Sequence, residues 1–572
     1  MLLQRLETDA DHIVNLPPPM YDVRPVKWIV DLGTDGSCVG IVSTTEADDA
    51  RDQGKQRLVP YVRRTSGIRP ILLADTPAYT FGIAQDDARA AAKHKAYVAL
   101  VTACADVTGA VSVQAVTRFL TGSPVSLPDD MNPSDLITFR VDGEFPIDVP
   151  SVRAFWRETV QESESGSDVR VGECLVCGRR TRIPMTLPVP TKGIPQGQPS
   201  GTSLVSANYK VFESYGLERG STCGVCAECG ERFGKALNEL LRSPGNHFRA
   251  GPVVFVFWTR EEADFDPLRL IDKPDVEDVR LLLSSYYSGK PAGLSEEDEA
   301  LFNTAALSAS GGRVVVRDFD GSTVGTVKHN LARWFMLIDQ VDPWGAKDRP
   351  LGLRQLIAAP FRDPEKQQPP RLPGILMKSA LYGTRPLPPW LLSLITARCR
   401  ATGGGNSHTP ERVTHAQAAL LKAVLASSIE GGEGYMAELD TSESSAAYLC
   451  GRLLAVLEEI QRAAIPGVNA TVVDRFFAAA STAPASVFGK LLSDVQPHLA
   501  KLRKSSGAAH HALERRLEEV LASLNEFPTT LSMQEQALFS LGFYHQRAAD
   551  RASRKAVKET AKSDSAHRKE QS

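Results

Sequence analysis

Two short cysteine motifs constrain this chain more than any other feature. Cys174-Leu-Val-Cys177-Gly178 and Cys226-Ala-Glu-Cys229-Gly230 each hold two thiols one tight turn apart and follow them with a glycine. Such a turn presents both thiolates to one ion, and the glycine accepts the left-handed backbone that closes it. Two units together supply four soft ligands, enough to complete a tetrahedral shell. A closed shell leaves no position for a reacting water, so the spacing predicts a structural zinc site on Cys174, Cys177, Cys226 and Cys229. Cys223 offers an overlapping C-x-x-C pair with Cys226, but only Cys226/Cys229 is followed by glycine; Cys223 is then a spare thiol or a substitute ligand. Unligated loop cysteines or a redox pair are the competing readings. The scattered Cys38, Cys104, Cys399 and Cys450 suit a reducing compartment better than a disulfide framework.

At 572 residues the chain has room for several domains. It contains no long uncharged apolar run, which argues against a membrane span. The start, Met1-Leu-Leu-Gln-Arg-Leu6, soon meets Asp9 and Asp11 and does not fit a signal peptide, so a cytoplasmic protein is expected. A net charge of −3 does not announce a nucleic-acid binder, although local patches decide that question.

The pattern along the chain predicts an α+β protein. Val26–Asp31 and Cys38–Ser43 flank Gly33-Thr-Asp-Gly36 and read as a β-hairpin. Two alanine-rich helices follow between Asp86 and Leu120, then a strand over Asp135–Val141 with a turn at Asp142-Gly143, and a helix capped by Ser151. Val253–Trp258 and Gly312–Asp318 read as strands, Arg260–Asn303 as mostly helical, and Thr326–Ile338 as a helix with Leu331, Trp334, Phe335 and Ile338 on one side. Apolar residues at helical spacing (Leu449, Leu453, Leu457, Ile460 and Ala464; Phe488, Leu491 and Leu492; Leu513, Leu517, Val520 and Leu524) make the remainder a helical bundle. The expected divisions are an N-terminal α+β body at 1–165 that contacts DNA, a zinc-knuckle region at 166–250 and a continuation of the body at 251–360. A linker or exposed loop at 361–376, the bundle at 377–550 and a basic tail at 551–572, disordered or a frayed helix, complete the chain.

Lys55, Arg57, Arg63, Arg64 and Arg69 lie among Tyr61, Tyr79 and Phe81. Cations interleaved with aromatics can grip phosphates while rings stack on bases, and ordinary surface charge is the alternative. In the bundle His498, Lys501 and Lys504 share nearly one helix face, which reads either as a backbone track or as a solvated face. No P-loop, H-E-x-x-H or G-x-S-x-G motif occurs, so nothing marks the chain as an enzyme.

Several phrases together resemble one family. They are Arg64-Thr-Ser-Gly-Ile-Arg69 with Leu73-Ala-Asp75, Leu204–Asn208 leading to Phe212-Glu-Ser-Tyr-Gly216, Lys235-Ala-Leu-Asn238, Arg313-Val-Val-Val-Arg317, Tyr448–Glu458 and Gly542-Phe-Tyr-His-Gln546. The resemblance is to the large subunit of the type I-C CRISPR surveillance complex, Cascade, and spans nearly the whole chain. It implies a non-catalytic subunit that acts with the other Cascade subunits and a guide RNA. Such a subunit reads a short protospacer-adjacent motif in duplex target DNA, aids opening to an R-loop with a displaced single strand, and docks a helicase-nuclease. It also makes Ser206 and Asn208 candidate contacts to a base edge or phosphate, against a turn network beside the knuckle. An internal translation start at Met436 would yield the bundle as a separate small subunit. The alternatives are a zinc-ribbon nuclease whose carboxylates converge only in the fold, and a purely architectural zinc protein.

Overall fold

Along Trp28-Ile-Val-Asp-Leu32 buried and half-buried positions alternate, the signature of a strand with one covered face. In the computed structural model this strand is central to a four-stranded sheet. The structure describes residues 2–570 apart from 14–16, 19, 46–53, 63, 65–66, 84–87, 164–169, 208, 262, 264, 288–295, 348 and 402–410. The chain divides into two compact units, one of Met1–Ser243 with Ser308–Val316 and the other of Pro244–Leu307 with Arg317–Ser572.

The strands of the first unit are β1 (Tyr21–Val26), β2 (Trp28–Leu32), β3 (Cys38–Ser43), β4 (Lys55–Pro60), β5 (Ala74–Asp75), β6 (Ile137–Val141), β7 (Arg170–Glu173) and β8 (Arg180–Ile183). Its helices are α1 (Leu2–Thr8), α2 (Pro77–Thr80), α3 (Ala90–Thr108), α4 (Val111–Thr121), α5 (Pro150–Ser163) and α6 (Ala227–Arg242). The main sheet runs β3-β2-β6-β5, with β2 and β6 parallel; β1 with β4 and β7 with β8 form antiparallel ribbons. The expected β2–β3 hairpin is present. Gly36 takes φ +88 and donates to Gly33 O at 3.0 Å, and Asp35 Oδ1 accepts from Ser37 N at 2.9 Å. Asp142 and Gly143, at φ +47 and +86, make the expected turn after β6. Trp28, Val30, Tyr97, Val116, Phe139 and Trp156 meet in the core between sheet and helices. Ser151 does not cap α5: the helix begins at Pro150, whose fixed φ suits the first turn, and Ser151 lies inside that turn.

The second unit contains β9 (His247–Ala250), β10 (Val253–Thr259) and most of the strands β11 (Leu301–Ser310) and β12 (Arg313–Thr323), in the order β12-β11-β10-β9. Every residue of Val253–Trp258 is buried, as a fully covered strand requires. Its helices are α7 (Pro267–Ile271), α8 (Val276–Tyr287), α9 (Glu296–Glu299), α10 (Val324–Ile338), α11 (Leu353–Ala358), α12 (Pro364–Gln367), α13 (Arg371–Tyr382), α14 (Trp390–Ala401), α15 (His415–Ala426), α16 (Ala446–Ala464), α17 (Val472–Ala480), α18 (Phe488–Ser505), α19 (Gly507–Ala522) and α20 (Met533–Glu570). Thr323 caps α10 by accepting from Thr326 N at 3.3 Å, and Leu331, Trp334, Phe335 and Ile338 are buried as their spacing required. Two stretches depart from the sequence reading. Residues 301–303 open β11 instead of ending a helical segment, and 371–376 are helical with Leu372 and Leu376 buried. Residues 551–570, read as a disordered or frayed-helical tail, continue α20 as helix. Among the described residues no helix is long and apolar enough to cross a membrane.

Candidate metal centre and nucleic-acid interface

The first knuckle is the turn between β7 and β8. Cys174 N donates to Arg179 O at 2.9 Å, Gly178 N donates to Cys174 O at 2.8 Å, and Gly178 takes φ +72. The second knuckle is the start of α6, where Cys226 is the N-cap residue and Gly230 N reaches Cys226 O at 3.0 Å. Leu175 N donates to Gly224 O at 2.8 Å and ties the two turns together.

The Sγ atoms of Cys174, Cys177, Cys226 and Cys229 all lie within 4.8 Å of one another. Tetrahedral metal–sulfur bonds of about 2.3 Å place sulfurs about 3.8 Å apart, a spacing within that limit. Three donors already face the sulfurs: Cys226 N to Cys174 at 3.4 Å, Cys229 N to Cys226 at 3.5 Å, and Arg179 Nε to Cys177 at 3.4 Å. Such donors favour thiolate over thiol. The hydrogen bond from Cys229 pulls Cys226 down to about 5, and the same shared proton pushes Cys229 up. Burial presses Cys177 upward but is outweighed by Arg179, and its pKa falls; burial raises Cys174. Crowded thiols competing for protons are what a soft cation relieves. The donor set therefore fits a tetrahedral metal ion. Cys223 lies outside the four-sulfur group, as the missing glycine suggested.

The long spacer between the knuckles has a defined path. On α6, Gly230, Gly234 and Asn238 lie at i, i+4 and i+8 and form a groove along one face. A side chain at Gly230 would meet Leu187 Cδ2 at 2.7 Å, and one at Gly234 would meet Val189 Cβ at 2.9 Å. Asn238 completes the track, donating to Pro190 O at 3.0 Å and accepting from Lys192 N at 2.8 Å. Elsewhere on α6, Lys235 donates to Pro18 O at 2.9 Å and to Tyr21 O, and pairs with buried Glu231, which accepts from Met20 N. The knuckle thus sets the start of a helix to which both the spacer and the entry to β1 are fastened.

The cations expected to contact DNA have different surroundings. Lys55 is exposed at the start of β4, and Arg69 is exposed on the following loop. Arg57 lies 3.2 Å from the centre of the Phe145 ring and pairs with Asp148 at 2.7 Å. Arg64 stacks on Tyr79 at 4.1 Å, donates to Arg69 O at 2.7 Å, and pairs with Asp75, which is buried. Ser206 is half-buried, whereas Arg63 and Asn208 lie outside the described residues. Lys501 and Lys504 are exposed on α18 of the second unit.

Sequence reasoning did not single out an exposed aromatic loop as a site. Tyr209, Val211, Phe212 and Tyr215 are all exposed, Val211 at 82 % and Tyr215 at 98 %. Tyr209 and Phe212 meet edge to face at 5.9 Å, and Arg313 covers Phe212 at 3.8 Å. Arg313 arrives from the β11–β12 hairpin tip, where Ser203 N donates to Gly312 O at 3.2 Å and Val314 N donates to Ser203 O at 2.8 Å. Tyr215 and Gly216, at φ +54 and +68, hold the loop in a left-handed turn. The available signal was the phrase Phe212-Glu-Ser-Tyr-Gly216, in which two aromatics flank polar residues before a glycine.

No protein in a search of the curated proteins matches this chain. The family model described as CRISPR-associated protein (Cas_Csd1) matches residues 2–550, which include both cysteine knuckles, the aromatic loop and the helices through most of the bundle. The chain belongs to this family of CRISPR-associated proteins.

Proposed function

We propose that the chain is the non-catalytic large subunit of an RNA-guided type I-C Cascade complex. In this reading a guide RNA pairs with the target strand, while the subunit reads the protospacer-adjacent motif in duplex DNA, aids strand opening and docks a helicase-nuclease. The family match over residues 2–550 carries the proposal. Exposed Lys55 and Arg69, and separately the exposed Tyr209, Phe212 and Tyr215 with Arg313 over Phe212, support nucleic-acid contact by the first unit. Lys501 and Lys504 are assigned to backbone contact on the second unit. The ion held by the four cysteines is zinc in this reading, in a structural role.

The test is co-purification of the tagged chain expressed with its neighbouring genes. A large complex containing one short, uniform RNA with repeat-derived ends is the expected result; recovery of the chain alone, free of RNA, would overturn the proposal. Within the complex, Arg69→Ala and Tyr215→Ala should weaken binding to duplexes carrying the adjacent motif more than to duplexes without it. Lys501→Ala and Lys504→Ala should weaken binding to all sequences and flatten its salt dependence.

A further inference from the structure

The turn of α19 that begins at His510 carries three metal-ligating side chains unconnected with the cysteine knuckles. His510 and Glu514 lie at i and i+4, on one face of the helix, with His511 next to them. One donor atom from each lies within 4.8 Å of the other two. The imidazole rings are 5.3 Å apart with their planes at 80°. His510 is only 5 % exposed, and its Nδ1 makes no hydrogen bond among the described residues although it is buried. Its nearest opposite charge is Glu514 Oε2 at 3.5 Å. A buried ring nitrogen without a hydrogen bond is a state that folded proteins seldom leave in place, and the Glu514 carboxylate stands across the gap from it. The neighbouring arginines do not oppose a cation strongly, because Arg515 turns to Glu519 at 3.5 Å and Arg516 to Asp550 at 3.0 Å.

We propose that His510, His511 and Glu514 form a second metal site, for a divalent first-row transition ion such as Zn²⁺ or Co²⁺. Two imidazoles and one carboxylate are borderline donors that select such ions over Mg²⁺ and Ca²⁺. Three protein ligands leave the remaining coordination positions to water, and exposed His511 gives solvent access. The site differs in kind from the four-sulfur centre, which is soft and closed. It does not depend on the Cascade reading, because all three ligands sit on one helical turn.

The experiment is Co²⁺ and Zn²⁺ uptake by the full chain, followed by visible spectroscopy and metal analysis, for the parent, Glu514→Gln, His511→Ala and Cys174→Ser. The parent should take up one equivalent more than Glu514→Gln or His511→Ala. Cys174→Ser should weaken the intense thiolate-to-cobalt absorption, to which three sulfurs still contribute, and the parent-minus-Glu514→Gln difference spectrum should show the weaker bands of a nitrogen- and oxygen-ligated ion. His511 is exposed and Glu514 half-exposed, so both substitutions leave the bundle core untouched, and unchanged circular dichroism would confirm that. Equal uptake by the parent and both α19 variants would overturn the proposal. So would a parent-minus-Glu514→Gln difference spectrum without nitrogen- and oxygen-type cobalt bands.

Discussion

Arg64 holds the Asp75 carboxylate through its guanidinium, and removing it leaves that carboxylate buried with, among the described residues, the Ile71 and Thr76 amides as its remaining donors. Arg64→Ala should therefore lower stability by about 1–3 kcal/mol in chemical denaturation, irrespective of DNA. A DNA-binding defect in that variant has to be read against this loss. His545 gives a second prediction at this scale. It is fully buried between Tyr448 Oη at 3.0 Å and Gln340 Oε1 at 2.8 Å, and burial, reinforced by nearby Lys422, holds its pKa down to about 3. The unfolded histidine takes a proton near 6.5, so between about 3 and 6.5 the unfolded state binds more protons than the folded state. This contribution to stability is complete above pH 6.5 and is lost as the pH falls toward 3. Unfolding measured from pH 7 to pH 4.5 should show a slope approaching about 1.4 kcal/mol per pH unit that is absent in His545→Gln. An identical slope in the variant would assign it to other groups.

Among the elements, α16 and α20 pack backbone against backbone. Gly451 lies against Phe539 O and Gly542 against Tyr448 O, so a methyl group at either position would overlap backbone. The flanking pairs Tyr448–His545 and Arg452–Gln546 fasten the same crossing, the latter at 3.1 Å. Gly451→Ala and Gly542→Ala should each cost at least about 1–3 kcal/mol, the range for overpacking, because rigid backbone and not a movable side chain is in the way. Wild-type thermal stability in either variant would contradict that. The phrases that carried the family resemblance now have physical causes: Tyr448–Glu458 and Gly542–Gln546 are the two halves of this crossing, Arg64 and Asp75 are an ion pair, and Lys235 and Asn238 fasten the helix after the knuckle. What was legible was local. The β2–β3 hairpin, the α10 stripe and the glycine-marked thiol turns are set by neighbours a few residues apart, and period and turn chemistry report those directly. Contacts between distant segments leave no such trace, as with Arg313 over Phe212, the spacer in the α6 groove and the partner of His545. The start of α5 was misplaced because Pro150 and Ser151 both suit a helix beginning, and the proline took the first turn.

For the molecule as a whole, the cysteine centre belongs to the first unit and the bundle to the second. Stripping metal with a chelator, or Cys174→Ser, should raise hydrogen exchange in α6, β7, β8 and the spacer while leaving α16 and α20 protected. Loss of protection throughout would show that the bundle also depends on the metal. If Met436 serves as an internal start, mass spectrometry of the natively expressed operon should find a product beginning there and carrying α16–α20. Such a product keeps the Gly451/Gly542 crossing but loses the bonds that Gln340 makes to His545 and to Met436 O, so it should melt below the full chain. The interleaving of the two units also bears on synthesis. Ser308–Val316 belongs to the first unit but is translated after β9, β10 and α7–α9 of the second. At about 5–20 residues per second, a ribosome needs roughly 5–20 s to travel from Ser203 to Arg313. Throughout that interval the nascent aromatic loop lacks the strand that bridges to it and the guanidinium that covers Phe212. The face we assign to nucleic acid is thus completed late, and a polypeptide released after Gly230 but before Arg313 would carry the cysteine knuckles without a finished aromatic loop.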